Sequence, residues 1–163
     1  MRRMKRRFGA LLALVLLAAP ASAAGLTVQR VEVLGVPLDL SAYTVYNEWG
    51  YATNYVRLRD VAWALQFTTD RFNVSYDGST RVDTGQGYIP DGTEMTGLPD
   101  GATAQATRAV ITVNGAGHPL NAYLITPPDS TAGNFYFKLR DLGTAIGFTV
   151  GWSAEQGVYI ETW

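Results

Sequence analysis

Slid against itself by about 80 residues, the chain repeats, and an internal repeat constrains a fold more than any single motif. Val33-Leu34-Gly35 falls on Val113-Asn114-Gly115, and Ala42-Tyr43 on Ala122-Tyr123. Tyr55-Val56-Arg57-Leu58-Arg59-Asp60 falls on Tyr136-Phe137-Lys138-Leu139-Arg140-Asp141. Further on, Phe72-Asn73-Val74-Ser75-Tyr76 matches Phe148-Thr149-Val150-Gly151-Trp152, so the first copy carries an insertion around residues 66–71. Each copy has about 55 to 60 residues, close to the lower limit for a unit that folds alone, and mutual packing of the two is expected.

Within a copy the pattern reads strand, turn, strand, loop, strand, short helix, and a final hairpin. Val31 to Leu34 and Leu38 to Leu40 flank Gly35 as a β-hairpin, and Ile111 to Val113 with Pro119 to Asn121 repeat it around Gly115. Val61, Ala62, Ala64 and Leu65, and in the second copy Leu142, Ala145 and Ile146, have the spacing of a short buried helix. Asp60 and Asp141 stand at the start of each helix, where a carboxylate can accept free backbone N–H groups, and Gly147 supplies a stop. The closing hairpins run from Phe72 through Asp77-Gly78 to Val82, and from Phe148 through Ser153-Ala154-Glu155 to Ile160. The organisation expected is a leader at 1–24, a first repeat at 25–86, a linker at 87–107 and a second repeat at 108–163. The linker is expected to lie against the repeats, because Tyr88, Ile89, Met95 and Leu98 punctuate its Pro- and Gly-rich run.

The leader reads as a secretory signal peptide. Arg2, Arg3, Lys5, Arg6 and Arg7 precede an apolar run from Ala10 to Ala19 that is too short to span a bilayer, and Ala21-Ser22-Ala23 offers small residues for cleavage. Its removal leaves 8 basic residues against 14 acidic ones, a net charge near −6. An acidic chain is a poor ligand for nucleic acid or anionic lipid, which rely on Lys and Arg. No second stretch is apolar and long enough to cross a membrane, so a secreted protein, associated with the cell wall or free in the medium, is expected. With no Cys in the sequence, disulfides and thiol nucleophiles are absent.

The VNG-type hairpin, the aromatic-[FV]-[KR]-L-R-D step from strand to helix, the A-[LI] helix end and the [FV]-x-V-x-[WY] strand together resemble the copper amine oxidase N-terminal-like domain, also called the stalk domain. Asn134-Phe135-Tyr136-Phe137-Lys138-Leu139-Arg140-Asp141 carries the resemblance most strongly. It departs from the family pattern at Leu34, at the insertion before Phe72 and at Ser153. The resemblance implies an exported, often tandem module of Gram-positive bacteria. It also implies an α+β fold: two tandem copies of a small antiparallel sheet, each wrapped around one short helix. The family name does not carry its chemistry here. A copper site of the amine oxidase kind needs three His and a Tyr-derived quinone, whereas this chain has only His118, read as a turn residue, and only Met95 among the methionines after cleavage. Thr53-Asn54-Tyr55 is followed by Val56 in place of an acidic residue. No metal or cofactor is expected.

Three groups of side chains bear on function. Arg57, Arg59 and Asp60, with Lys138, Arg140 and Asp141, recur in both copies; they fit a paired anion-binding rim, but are read as a structural motif in which Arg pairs with or covers its neighbours and Asp caps the helix. Asp39, Glu48, Asp70, Asp77, Asp83, Asp91, Glu94 and Asp100 are scattered over turns and linker with nothing to mark a catalytic pair. No nucleophile elbow, zinc motif or phosphate loop is present. The loop Tyr46-Asn47-Glu48-Trp49-Gly50-Tyr51 is different, since its counterpart in the second copy has no aromatic residue. Aromatic faces stack on sugar rings while neighbouring amides and carboxylates orient them. The expectation is a non-catalytic spacer or binding platform at the cell surface, with Trp49, Tyr51 and Tyr46 engaging cell-wall glycan. The alternatives are an interaction or inhibitory domain that meets a secreted protein through a sheet edge, and a minimal carboxylate hydrolase. The sequence leaves the oligomeric state open.

Overall fold

A computed structural model of the chain describes residues 25–97 and 100–163. The leader at 1–24 lies outside the described residues. The described residues form ten strands and two helices. The first repeat supplies β1 (Gly25–Val33), β2 (Val36–Tyr46), β3 (Ala52–Arg57), α1 (Leu58–Leu65), β4 (Phe72–Tyr76) and β5 (Thr80–Thr84). The second supplies β6 (Thr103–Val113), β7 (Ala116–Thr126), β8 (Asn134–Lys138), α2 (Leu139–Ile146), β9 (Thr149–Ser153) and β10 (Gly157–Glu161).

The two repeats do not make two sheets. All ten strands join in one mixed sheet in the order β4-β5-β6-β7-β8-β3-β2-β1-β10-β9. The expected α+β arrangement of two separate antiparallel sheets, each around its own helix, is therefore corrected to a mostly β fold on a single sheet. The correction has a specific cause. Each closing hairpin crosses to the other repeat: β5 pairs parallel with β6 through Val82↔Val113, and β10 pairs parallel with β1 through Ile160↔Val33. The repeats also meet directly, with β3 antiparallel to β8 around Val56↔Phe137. When the repeats are exchanged, the β5–β6 and β10–β1 pairings change places and the β3–β8 pairing maps onto itself, so the molecule has an internal two-fold pseudo-axis between β3 and β8. Phe72 and Phe148, equivalent residues, stack in parallel across it with centroids 6.4 Å apart.

Strand alternation sorts the apolar residues onto two faces. One face and both helices enclose the main core, with Val31, Leu40, Val56, Val61, Leu65, Phe72, Val82, Ile111, Phe137, Leu142 and Ile160 all buried. The opposite face carries a smaller cluster of Tyr55, Ile125 and Tyr136 with Tyr43 and Tyr123 against it. Tyr123 meets Tyr55 edge-on at 4.8 Å and Tyr43 at 5.6 Å. Leu34-Gly35 and Asn114-Gly115 turn the first hairpins with positive φ at both central residues, which matches strand twist. Asn tolerates that conformation and Leu does not, so Leu34 holds the turn under local strain.

The linker expected at 87–107 is part structure and part strap. Residues 103–107 belong to β6. Residues 85–97 form the strap: Tyr88 is buried in the main core and Met95 packs against it. His118 lies within β7 opposite Ile111 rather than in the turn. Among the described residues no helix is long and apolar enough to cross a membrane.

Candidate functional site

The β2–β3 loop presents Trp49 and Tyr51 to solvent, 74% and 71% exposed, with Tyr46 at 43%. They do not close the core. The loop is nonetheless tightly organised around Asn47. Its side-chain oxygen accepts from the N–H of Trp49 at 3.0 Å and of Tyr51 at 2.9 Å. Its backbone closes the same turn, with Asn47 N–H donating to the Tyr51 carbonyl at 3.0 Å and Gly50 N–H donating to the Asn47 carbonyl at 2.9 Å. Gly50 takes φ +79°, where a side chain would be strained. The strand ends are fastened by Thr44 Oγ1 to Asn54 Oδ1 at 2.7 Å and by Asn54 Nδ2 to Gln29 Oε1 at 2.8 Å. Two large aromatic faces thus stand on a pre-formed turn, beside exposed Glu48.

The repeated Arg/Lys–Asp motif divides by repeat. Arg57 and Asp60 form a buried ion pair at 2.6 Å. Asp60 does not cap α1, contrary to expectation: the residue before the helix is Arg57 and no side chain caps it. The Asp60 carboxylate instead accepts from the N–H of Ser41 at 3.1 Å and of Met95 at 3.1 Å, while Arg57 also donates to the Thr93 carbonyl. It ties β2, α1 and the strap together. Arg59 sits 3.5 Å from Asp91 and donates to the Tyr88 hydroxyl at 3.2 Å. In the second repeat no side chain caps α2 either, so Asp141 also fails as a cap. There Lys138 lies 5.9 Å over the Tyr55 ring, and Arg140 donates to the Val150 carbonyl at 3.0 Å. Gly147 does end α2, in the left-handed conformation.

Burial, then the hydrogen bond with Glu94, push the Tyr88 hydroxyl up to about 12. Burial raises Tyr136 to about 12 as well, and its hydroxyl has no partner among the described residues. A groove of about 540 Å³ runs between α1, β4 and the β7–β8 turn, lined by Arg59, Tyr76, Leu124, Asn134 and Phe135 among others. Its two arginines, Arg57 and Arg59, already hold carboxylate partners. A second groove of about 510 Å³ lies along α2 and β9. No group of three or more His, Asp or Glu fit to hold a metal occurs among the described residues.

Sequence reading missed Tyr76 and Trp152. They occupy equivalent positions on the two outermost strands and are 70% and 64% exposed. The repeat alignment placed an aromatic at both positions, but alternation from Phe72 and Val74 points Tyr76 inward, whereas it is exposed at the end of β4. No family model, curated protein or solved structure matches the chain.

Proposed function

We propose that the chain is an exported, non-catalytic repeat protein of the stalk type that serves as a spacer or binding platform at the cell surface and engages cell-wall glycan through Trp49 and Tyr51. The observation that carries this reading is the Asn47-centred turn, which holds two aromatic faces exposed without contributing them to the core. Pre-organisation lowers the ordering cost of binding and favours a shallow stacking site. The basic, apolar and small-residue succession of the leader supports export.

Co-sedimentation with purified cell wall and insoluble polysaccharides tests it. Trp49→Ala or Tyr51→Ala is expected to weaken binding roughly tenfold, about 1.4 kcal/mol, with an unchanged melting temperature. Asn47→Ala, which keeps both rings but frees the turn, is expected to weaken it less. Equal binding by all three variants and the parent removes the loop from the mechanism. A second reading, a protein partner added to a free sheet edge, is favoured by exposed Tyr76 and Trp152 on β4 and β9. Saturable binding to one secreted protein with indifference to polysaccharide would select it.

A further inference from the structure

The internal two-fold makes a comparison possible that neither repeat allows alone. In the first half the strap seats Tyr88 beside α1 and β4. Its hydroxyl lies between Arg59 and Glu94, and the next N–H, that of Ile89, donates to Asn73 Oδ1 at 3.2 Å. The strap is acidic where it meets Arg59: Asp91 pairs with the guanidinium, and Glu94 accepts from the N–H groups of Asp91 and Gly92 at 2.8 and 3.0 Å.

Strand register fixes the equivalent positions in the second half. Val33↔Ile160 and Val113↔Val82 make Val82 and Ile160 equivalent, and their hairpin partners are Val74 and Val150. Asn73 therefore corresponds to Thr149, and Arg59 to Arg140. Both Thr149 and Arg140 line the open groove of about 510 Å³, with Gly143, Thr144, Phe148 and Val150. Here α2 has Gly143 and Thr144 where α1 has Ala62 and Trp63; Gly143 lets α2 close down on Phe148, whose carbonyl fills the space a Cβ would need, and the smaller Thr144 replaces the indole at the groove's side. Arg140 is exposed, and no carboxylate pairs with it among the described residues.

We propose that this groove is a docking site for a segment of another polypeptide with the chemistry of the strap: a tyrosine that inserts between α2 and β9, followed by carboxylates at the third and sixth positions, Tyr-x-x-Asp-x-x-Glu. The strap is the internal template for the occupant. Its seat on α1 and β4 shows how such a segment fits that surface, and the unpaired Arg140 supplies the charge complement to its acidic turn. The site is separate from the aromatic loop and does not depend on glycan binding.

A synthetic peptide of residues 85–97, GQGYIPDGTEMTG, is the probe. Titrated into the intact chain by calorimetry, it is expected to bind saturably at one site with Kd near 0.1 mM. Amide shifts should map to α2 and β9, because the tethered strap holds its own seat at high effective concentration. Arg140→Glu, at an exposed position, is expected to weaken binding at least tenfold without lowering the melting temperature, and a Tyr-to-Ala peptide should not bind. Lack of saturation up to about 1 mM, affinity unaffected by Arg140→Glu, or shifts confined to α1 and β4 would each overturn the proposal. So would self-association of the chain that occupies the groove and excludes the peptide.

Discussion

Asp60 and Asp141 show how far equivalent residues can diverge. Both follow the same Leu-Arg pair at the start of a helix, yet Asp60 is fully buried against Arg57 with two backbone N–H groups on its carboxylate, while Asp141 is half-exposed and lacks a basic partner within hydrogen-bonding reach among the described residues. The difference comes from the strap, whose Met95 N–H and Thr93 carbonyl complete the buried pair on one side only. Removing one member of a buried ion pair strands the other charge in a low dielectric. Asp60→Ala is therefore expected to destabilise the fold by about 3–5 kcal/mol, and Asp141→Ala by no more than about 0.5 kcal/mol. Urea denaturation of the two variants measures the contrast, and equal losses would contradict it. The repeat made both residues visible in sequence, but not their unequal burial, because that depends on a segment outside the repeat.

Among the elements, the strap is anchored by buried Tyr88 and by the Arg57 and Asp60 bonds to Thr93 and Met95, and its acidic turn shapes it and adds the Arg59–Asp91 contact. Hydrogen bonds from the Thr93 hydroxyl and N–H hold the Asp91 carboxyl below the usual carboxylate range. For Glu94, burial acts to raise the value, but the Tyr88 hydroxyl and the backbone N–H groups outweigh it and the result is also lowered. Groups depressed on folding contribute stability above their unfolded pKa values, near 3.9 and 4.3. That contribution is lost as pH falls through the lower folded values, since unfolding then takes up protons. Strap docking is expected to be flat from pH 8 to about 5 and to weaken below about pH 4. Hydrogen exchange at Ile89 and Met95, whose N–H groups bond Asn73 and Asp60, reads the opening. Glu94→Gln should blunt the acid response, and an opening free energy independent of pH between 3 and 6 would refute the assignment. The hydrophobic spacing that places α1 and α2, and the Gly147 stop, were legible locally. The docking of the strap was foreshadowed only by its scattered Tyr88, Ile89 and Met95.

For the molecule as a whole, the exchange of closing hairpins makes the repeats interdependent. Without the second repeat, β1 loses β10, β5 loses β6 and β3 loses β8. Each half would then expose unpaired edges and one side of a shared core. Fragments 25–97 and 98–163, expressed separately, are expected to show no cooperative thermal transition, and mixing them in equal amounts is expected to restore one. A cooperative melt from either fragment as a monomer would show that the hairpins can close on their own repeat. The same interlock places the β2–β3 loop and the α2–β9 groove on one ten-stranded sheet.

The sequence by itself determined the local elements: paired hairpins around Gly35 and Gly115, two short helices set by apolar spacing, and an aromatic loop. These are encoded by near neighbours, through alternation, helical period and turn chemistry. Only the tertiary structure decided that the hairpins pair across the repeats, that Asp60 is buried and Asp141 not, and that Trp49 and Tyr51 face solvent. Two repeats of the same pattern offer each hairpin two equivalent strands to join, and local pattern carries no information on which one it takes. Packing of Phe72 on Phe148 and the β3–β8 pairing settle that choice at a distance in the chain that periodicity does not reach.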